Sequence, residues 1–452
     1  GDMMGPEVIF YSLAILLVLI LASVQIGIAL GVASVIGVYL AYGDFQIALS
    51  ILGSTAYDAI RSHALAVIPL FMLMGEIISR SGAAADLYRL CDRALGRLPG
   101  RLAAATVLGN AAFAAVSGVA IASAATFSRI AYPEMRRGGY AKSYALGVIA
   151  GSGSLGMLIP PSVLLIVWAI LTEGSVGALF VAGVIPGLLL GLAFVFYCAL
   201  KAVVSPGVAP AVAPVTDPAG RRETDKGDRP DSADLGRQLV SALGIVGLVV
   251  LVLGGIWTGV FTPTEAAGFG ALGSLVLGYA NGMRGRAFMD AIYSAGRYTA
   301  PIMFLLIAGS MYAKLLAVSG GINLIQNLVT GAGLTPVGLI VLMTVVWLLL
   351  GALIDSISDI LLTVPVFVPL AAAAGIDPIA FAIYGIIVIE AGLLTPPMGL
   401  LIFTVKSSVT EPDVTLGDIF RGSVPFWILM LGVAALILLR PELATWLPAL
   451  MF

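Results

Sequence analysis

The chain has 452 residues, of which 60% are hydrophobic and 11% charged, with a formal net charge of −2. Soluble domains carry about 25% charged residues, so a water-soluble enzyme is excluded, and the charge balance leaves no polyanion-binding surface for nucleic acid. One histidine (His63) and two cysteines (Cys91, Cys198) leave no zinc cage, redox pair or disulfide framework. No GxxxxGK[ST] or HExxH is present, so an ATP motor or a zinc protease lacks its core parts. What remains is an all-α polytopic membrane protein, and at about 20 residues per span the length holds roughly ten to twelve spans.

Gly1 and Asp2 precede Met3 and Met4 and read as a vector-derived remnant. The first apolar run, Val8 to Val24, has neither a basic leader nor a small-residue cleavage site and reads as a retained span. Apolar segments follow at about 26–43, 64–80, 101–132, 140–171, 176–200, 238–257, 263–283, 300–317, 336–372, 378–405 and 424–440. Residues 46–62 and 287–299 mix charge with apolar side chains and are expected to lie along the bilayer surface. The stretch 205–236, rich in Pro, Asp and Arg, reads as a flexible loop joining two halves, 3–204 and 237–452.

Charge gives the topology, because cytoplasmic loops are enriched in Lys and Arg. Arg80, Arg89, Arg93, Arg97 and Arg101 precede segment 101–132, and Arg136, Arg137 and Lys142 follow it. A hairpin that enters and leaves from the cytoplasm keeps both clusters inside. The small, weakly apolar run Ala114 to Ser123 is where it would turn, so 101–132 is expected to be re-entrant. Threading outward places 201–237, Arg284, Arg286 and Arg297 inside and the N-terminus outside. Between Leu315 and Val405 there is no Lys or Arg, as expected if 318–378 faces outward and a second hairpin, 336–372, enters from that side.

Sliding the chain on itself by 236 residues lays Pro133 on Pro369, Gly139 on Gly375, Gly156 on Gly392, Pro160 on Pro396 and Pro161 on Pro397. Roughly two such coincidences arise by chance among these helix-breaking residues. With opposite membrane orientations, the halves read as inverted repeats, the signature of secondary transporters whose sites lie between broken helices at the midplane. The alternative is two unrelated sets of Pro-kinked helices in a channel or membrane enzyme.

The residues able to carry chemistry cluster at these breaks. Each Pro-Pro pair interrupts one long apolar run, within 140–171 and 378–405, and removes two backbone donors, so the preceding carbonyls lose helical partners. Such carbonyls are tolerated in hydrocarbon only inside protein or along a wet cavity, and a hard cation would satisfy several at once; a structural kink is the alternative. Ser117, Gly118 and Ser123 mark the first hairpin tip, and Gly351 to Asp359 the second. Asp355, Asp359 and Glu390 sit in apolar surroundings at a cost of at least about 2.5–3.5 kcal/mol each, which points to function or to capping. Asp355 fits an N-cap, with Ser358 and Asp359 in the first turn, and equally fits ion or gating roles. Glu265 behind Pro263 reads as a helix start. His63 beside Arg61 reads as a surface residue rather than a proton relay, and Arg129 as snorkelling to the cytoplasm rather than meeting an anionic substrate.

Several stretches in order, namely Ser117-Gly118, Tyr132-Pro-Glu-Met-Arg-Arg-Gly-Gly-Tyr140, Gly156-Met-Leu-Ile-Pro-Pro-Ser162, Ala182-Gly-Val-Ile-Pro-Gly187, Phe261-Thr-Pro-Thr-Glu-Ala-Ala267, Leu353-Ile-Asp355, Gly375-Ile-Asp-Pro378 and Glu390 to Gly399, carry a family likeness. The chain resembles the large membrane subunit of tripartite ATP-independent periplasmic (TRAP) transporters, in the ion transporter superfamily. The resemblance implies an elevator-type, Na⁺-coupled importer of organic acids in a bacterial inner membrane. It also implies two partners besides the lipid bilayer: a periplasmic substrate-binding protein and a small four-helix membrane subunit. Carried over by motif, one sodium site would use Ser117 with the carbonyls of Gly156, Ile159 and Pro161. The other would use Gly351, Gly392, Thr395 and Met398. Gly118, Ser123, Asp355, Ser356, Asp359, Pro160, Pro396 and Pro397 would shape or gate the substrate pocket. The first tip departs from the family, reading Ser117-Gly-Val-Ala120 where Ser-Gly-Ser-Ser is frequent. A stand-alone carrier or antiporter of the same superfamily and, more remotely, an intramembrane enzyme using Asp355, Asp359 or Glu390 are the competing readings.

Overall fold

The computed structural model describes residues 6–61, 63–96, 98–210, 232–331 and 333–451. The expected remnant at Gly1–Asp2 and most of the polar linker 205–236 lie outside these residues. Among the described residues every regular element is helical, as the composition requires of a membrane chain: backbone groups in lipid must be satisfied within each segment.

One part of the molecule is built from α1 (Pro6–Leu21), α2 (Ile26–Tyr42), α3 (Phe45–Arg61), α4 (Val67–Arg80) and α5 (Ala83–Leu95). The second half adds α11 (Ser232–Val249), continued through a π turn into α12 (Gly255–Trp257), then α13 (Pro263–Ala280), α14 (Gly285–Val318) and α15 (Gly321–Gly331). α14 packs on α2, α3 and α4, and α13 on α4, which joins these elements into one scaffold. Residues 287–299 and 300–317, read separately from the sequence, form the single helix α14, with Pro301 inside it. A charged stretch need not leave a helix when it can run on into an apolar one.

The other part consists of two units on one plan. The first hairpin is α6 (Arg101–Ser117) and α7 (Ala120–Arg137), beside α8 (Lys142–Gly153) and α9 (Val163–Leu171), which are separated by the break at Gly156 to Ser162. The second hairpin is α16 (Pro336–Gly351) and α17 (Ser356–Ala373), beside α18 (Pro378–Gly392) and α19 (Leu400–Ser408). α10 (Val176–Val204) and α20 (Leu416–Leu439) flank these units, and α21 (Glu442–Ala449) closes the chain against α10.

The two units share a core. Trp168 of α9 meets Trp347 of α16 and Phe381 of α18, with ring centroids 6.2 and 6.0 Å away. α8 and α20 cross with backbones in contact, since a Cβ on Gly147 would lie 2.1 Å from the carbonyl of Gly422. Among the described residues five helices are long and apolar enough to cross a membrane alone, α10, α11 with its continuation, α14, α17 and α20, or six if the bent pair α4–α5 counts as one. Five further apolar helices, α1, α2, α6, α16 and α18, have 15–17 residues each.

Candidate functional site

At the first tip the chain reverses at Gly118, whose φ of +63° favours a residue without Cβ. The space demands glycine as well, because a Cβ there would sit 2.6 Å from the carbonyl oxygen of Pro161. A Cβ on Gly156 would in turn lie 2.9 Å from the carbonyl carbon of Val119. Tip and break are therefore docked backbone to backbone, and the Val163 amide donates to the Gly118 carbonyl at 3.3 Å. Ser162 opens α9 as its N-cap, and its hydroxyl donates back to the Met157 carbonyl. Ser117 and Ser123 are buried with their hydroxyls 3.4 Å apart. The Pro160–Pro161 peptide is cis. Among the described residues the carbonyls of Gly156, Ile159, Pro160 and Pro161 accept no hydrogen bond, as the missing proline N–H groups dictate.

The second tip repeats this contact. A Cβ on Gly351 would meet the Ile389 carbonyl at 2.8 Å, and one on Gly392 would meet the Gly351 Cα at 2.9 Å. The amides of Met398 and Gly399 donate to the Ala352 carbonyl at 3.2 and 3.0 Å. The Thr395 hydroxyl and amide both donate to the Gly392 carbonyl, at 2.8 and 2.9 Å. The hydroxyl thereby keeps its lone pairs, and the carbonyls of Thr395, Pro396, Pro397 and Met398 accept no hydrogen bond among the described residues. Pro396 and Pro397, also joined by a cis peptide, are exposed along with Met398, whereas Pro160 and Pro161 are buried. Neutral carbonyl and hydroxyl oxygens, several on one turn and without donors, are the donor type that a hard cation takes. The residues named for the two sodium sites do fall into these two clusters.

Asp355 is the N-cap of α17. Its Oδ1 accepts from the Ile357 and Ser358 amides at 3.1 and 3.0 Å, and its Oδ2 from the Ser358 hydroxyl at 2.5 Å. Ser356 donates to Glu390 Oε1 at 2.7 Å, tying the tip to α18 inside the core. Asp359, one turn further on, is fully buried, and among the described residues neither of its carboxylate oxygens nor Glu390 Oε2 meets a donor.

Between the tips lies a cavity of about 490 Å³. Val119, Ala120 and Ile121 of the first tip, Asp355 to Ser358 of the second, Met157 and Val163 at the first break and Leu393 and Leu400 at the second all line it. The scaffold closes its remaining side with Gln25, Met72, Arg297 and Tyr298. Ser117, Gly118, Ser123, Asp359 and the four prolines lie outside the lining, as supports rather than walls. Arg129 lines a different cavity, with Arg89, Asp92 and Glu134 at the open end of the first hairpin. His63 is exposed and touches the site nowhere, and Glu265 completes a capping box with Thr262. Arg297, Gln25 and Tyr298 were missed as site residues. Arg297 was read only as a marker of the cytoplasmic side, although a cation three residues before a run beginning at Ala300 was a usable signal.

Residues 13–443 match the family model described as tripartite ATP-independent periplasmic transporter, DctM component. The chain is 33% identical over 396 residues to a C4-dicarboxylate TRAP transporter large permease protein of Pseudomonas aeruginosa, covering 87% of this chain and 88% of that protein. It is 30% identical over 441 residues to an ectoine TRAP transporter large permease protein of Halomonas elongata, covering 96% and 97%. Among solved structures, a transporter from Alcanivorax borkumensis superposes with a TM-score of 0.59 at 17% identity, over 90% of this chain and 89% of that one. That likeness concerns the fold alone.

Proposed function

The chain belongs to the DctM component family of tripartite ATP-independent periplasmic transporters, and on that premise we propose that it imports an organic acid by Na⁺ coupling and an elevator movement. It is a multi-pass protein of the bacterial inner membrane and a transporter permease, like the relatives it matches, rather than an enzyme. The family name implies a tripartite assembly, with a small membrane subunit and a periplasmic binding protein that hands over the solute.

The observation that carries the proposal is the convergence of both tips and both breaks on one cavity. The match of Gly156 to Gly392 and of each Pro-Pro pair to the other supports reading 3–204 and 237–452 as inverted repeats around it. Na⁺, as co-substrate, would supply positive charge at these oxygens, using Ser117, Gly156, Ile159 and Pro161 at one site and Gly351, Gly392, Thr395 and Met398 at the other, where the Gly392 carbonyl already accepts from Thr395. The tips then hold the acid between them, and the unit of α6–α9 and α16–α20 slides on the scaffold. The contact surface is close-packed, since a Cβ on scaffold Gly75 would lie 2.8 Å from the Ser117 Cα. Each net charge moved inward adds about 2.3 kcal/mol per 100 mV of membrane potential.

Thermal unfolding in NaCl, KCl and choline chloride at equal ionic strength tests the coupling ion. A Na⁺-specific rise in midpoint, reduced by Ser117→Ala and Thr395→Ala, is the expected result. Three superimposable curves would reject sodium coupling and turn attention to Glu390 and Asp359 as proton carriers. Uptake into liposomes holding this chain alone would instead favour the stand-alone carrier.

A further inference from the structure

We infer, on the elevator reading, that Arg61 is the outer-face counterpart of Arg297. When the moving unit stands at the outer face of the membrane, Arg61 lies against the second tip and pairs with Asp355.

The cavity between the tips has two kinds of wall. On the moving unit the lining is paired across the 236-residue offset: Val119 with Asp355, Ala120 with Ser356, Ile121 with Ile357 and Met157 with Leu393. The offset extends to whole elements, since α7 moved by 236 residues covers the same numbers as α17. The scaffold lining has no such pairing. It comes from the turn between α1 and α2, from Met72 and from the stretch of α14 between Arg297 and Leu305. Among the described residues, no position 236 away from these lines the cavity. A unit with two like sides therefore rests against one half of the scaffold and leaves the matching half unused.

Under inverted symmetry, sliding to the other face exchanges the halves. Arg297, Ile302 and Leu305 then give way to Arg61, Ala66 and Pro69, all three exposed here. Gln25 and Ile26 give way to Phe261 and Thr262, which already share a cavity of about 470 Å³ with Val67 at the start of α4. By the charge topology Arg297 is cytoplasmic, whereas Arg61 precedes a segment that ends at cytoplasmic Arg80, which puts Arg61 outside. Lys and Arg are 23 of 452 residues, so a basic side chain falls on a given position about once in twenty. Arg61 and Arg297 coincide at this offset and no other Lys or Arg does, while Tyr57 and Tyr293 coincide one turn earlier.

The two ends differ in charge. Tyr298, next to Arg297, shares a small pocket of about 70 Å³ with Val119 and Ile121, so α14 abuts the first tip here. The matching contact at the outer face sets Arg61 against the second tip, where the residue in place of Val119 is Asp355. Asp355 caps α17 through three donors, yet no ion pair reaches it among the described residues. Arg61 has none there either, its guanidinium lying over the Tyr57 ring at 5.9 Å from the centroid. Exchange of the halves thus brings together two charges that stand unpaired in this state, and their attraction favours the outer-facing one.

The test uses the full-length chain with Cys91→Ala and Cys198→Ala in right-side-out membrane vesicles. Ile121→Cys is labelled from outside with a membrane-impermeant maleimide. Two pairs, Arg297→Cys with Ile121→Cys and Arg61→Cys with Ile357→Cys, are treated with a short bis-maleimide. A link in the first pair reports the state seen here in a folded protein, and a link in the second is expected as well. In the Ile121→Cys protein, Arg61→Gln should slow labelling by about two- to five-fold, the population shift that a partly exposed ion pair gives. It should add no slowing once Asp355→Asn, which keeps a cap, is present. Outside labelling without a link between positions 61 and 357 overturns the inference and leaves the elevator standing. So does a slowing by Arg61→Gln that is independent of Asp355, or none at all. If Ile121→Cys is never labelled from outside while the Arg297 pair links, the elevator reading itself fails, and the inference with it.

Discussion

The docking of each tip on its break is tested most directly by adding one methyl group. Gly156→Ala places a Cβ 2.9 Å from the Val119 carbonyl carbon and 3.0 Å from the Ala120 amide nitrogen, and Gly392→Ala places one 2.9 Å from the Gly351 Cα. Neither glycine has a positive φ, so the substitution adds no backbone strain of its own. The clashing atoms are backbone, which cannot rotate away as a side chain can, so tip and break must separate by several tenths of an ångström. Overpacking of this kind costs about 1–3 kcal/mol. The proposed cation site should suffer more than the fold, because its oxygens would come from both sides of the contact. For a protein in Na⁺ at a hundredfold excess over Kd, stabilisation is about 2.7 kcal/mol; a hundredfold weaker site leaves about 0.4 kcal/mol. Chemical denaturation of wild type, Gly156→Ala and Gly392→Ala in NaCl and in choline chloride separates the two effects. Both variants should lose about 1–3 kcal/mol in choline and most of the sodium increment besides. A full sodium increment in both variants would refute the claim that tip docking builds the ion sites.

Three further predictions follow from single contacts. Asp355→Ala should cost about 0.5–2 kcal/mol as a lost N-cap while Asp355→Asn costs much less, and equal losses in denaturation would remove the capping role. At the α8–α20 crossing, Gly422→Ala would set a Cβ 1.9 Å from the Ser143 carbonyl, so at least about 1–3 kcal/mol should be lost, whereas Gly268→Ala, with open space around it, should be neutral or mildly stabilising. In the loop after α19, the Tyr132 hydroxyl donates to Glu411 Oε2 at 2.5 Å with Arg136 close by, holding that carboxyl below its ordinary range. A depressed folded-state value means stability that is present above the ordinary carboxylate value and lost as pH falls through the lowered one. The stability gap between wild type and Glu411→Gln should therefore be constant from pH 7 to 5 and close only below about pH 4.

Much of this arrangement is legible in the chain because its determinants are local. The breaks are written as Pro-Pro pairs that no helix can carry through, and the structure ends α8 and α18 just before them. The helix reversals are written in the turn residues at Gly118 and Gly351 to Asp355. Asp355 is the instructive middle case: Asp-Ser-Ile-Ser fits a cap as well as an ion ligand, and only the observed amides of Ile357 and Ser358 assign the cap. The scaffold wall of the cavity was not legible. Arg297, Gln25 and Met72 are brought to the tips by the packing of α14 on α2 and α4. No periodicity within any one of these helices specifies that pairing.

The two breaks, so similar in sequence, differ in their surroundings, and the difference bears on how the molecule works. Gly156, Pro160 and Pro161 are buried beneath the first tip, whereas Pro396, Pro397 and Met398 lie exposed, Met398 by 52%. Donor-free carbonyls at the exposed turn can be met by water, while those at the buried turn have only protein or a bound cation to meet them. An equal set of oxygens is therefore costlier to leave empty at the first site than at the second. Under sodium coupling, that inequality orders the two sites: the buried cluster gains more from each ion it holds, and the exposed one exchanges its ion with solution more readily. Under that coupling, a sequence symmetric at Gly156 and Gly392 would yield two sites of unequal strength through packing alone, because the first break is covered by α6, α7, α10 and α18 and the second stays open at its proline turn.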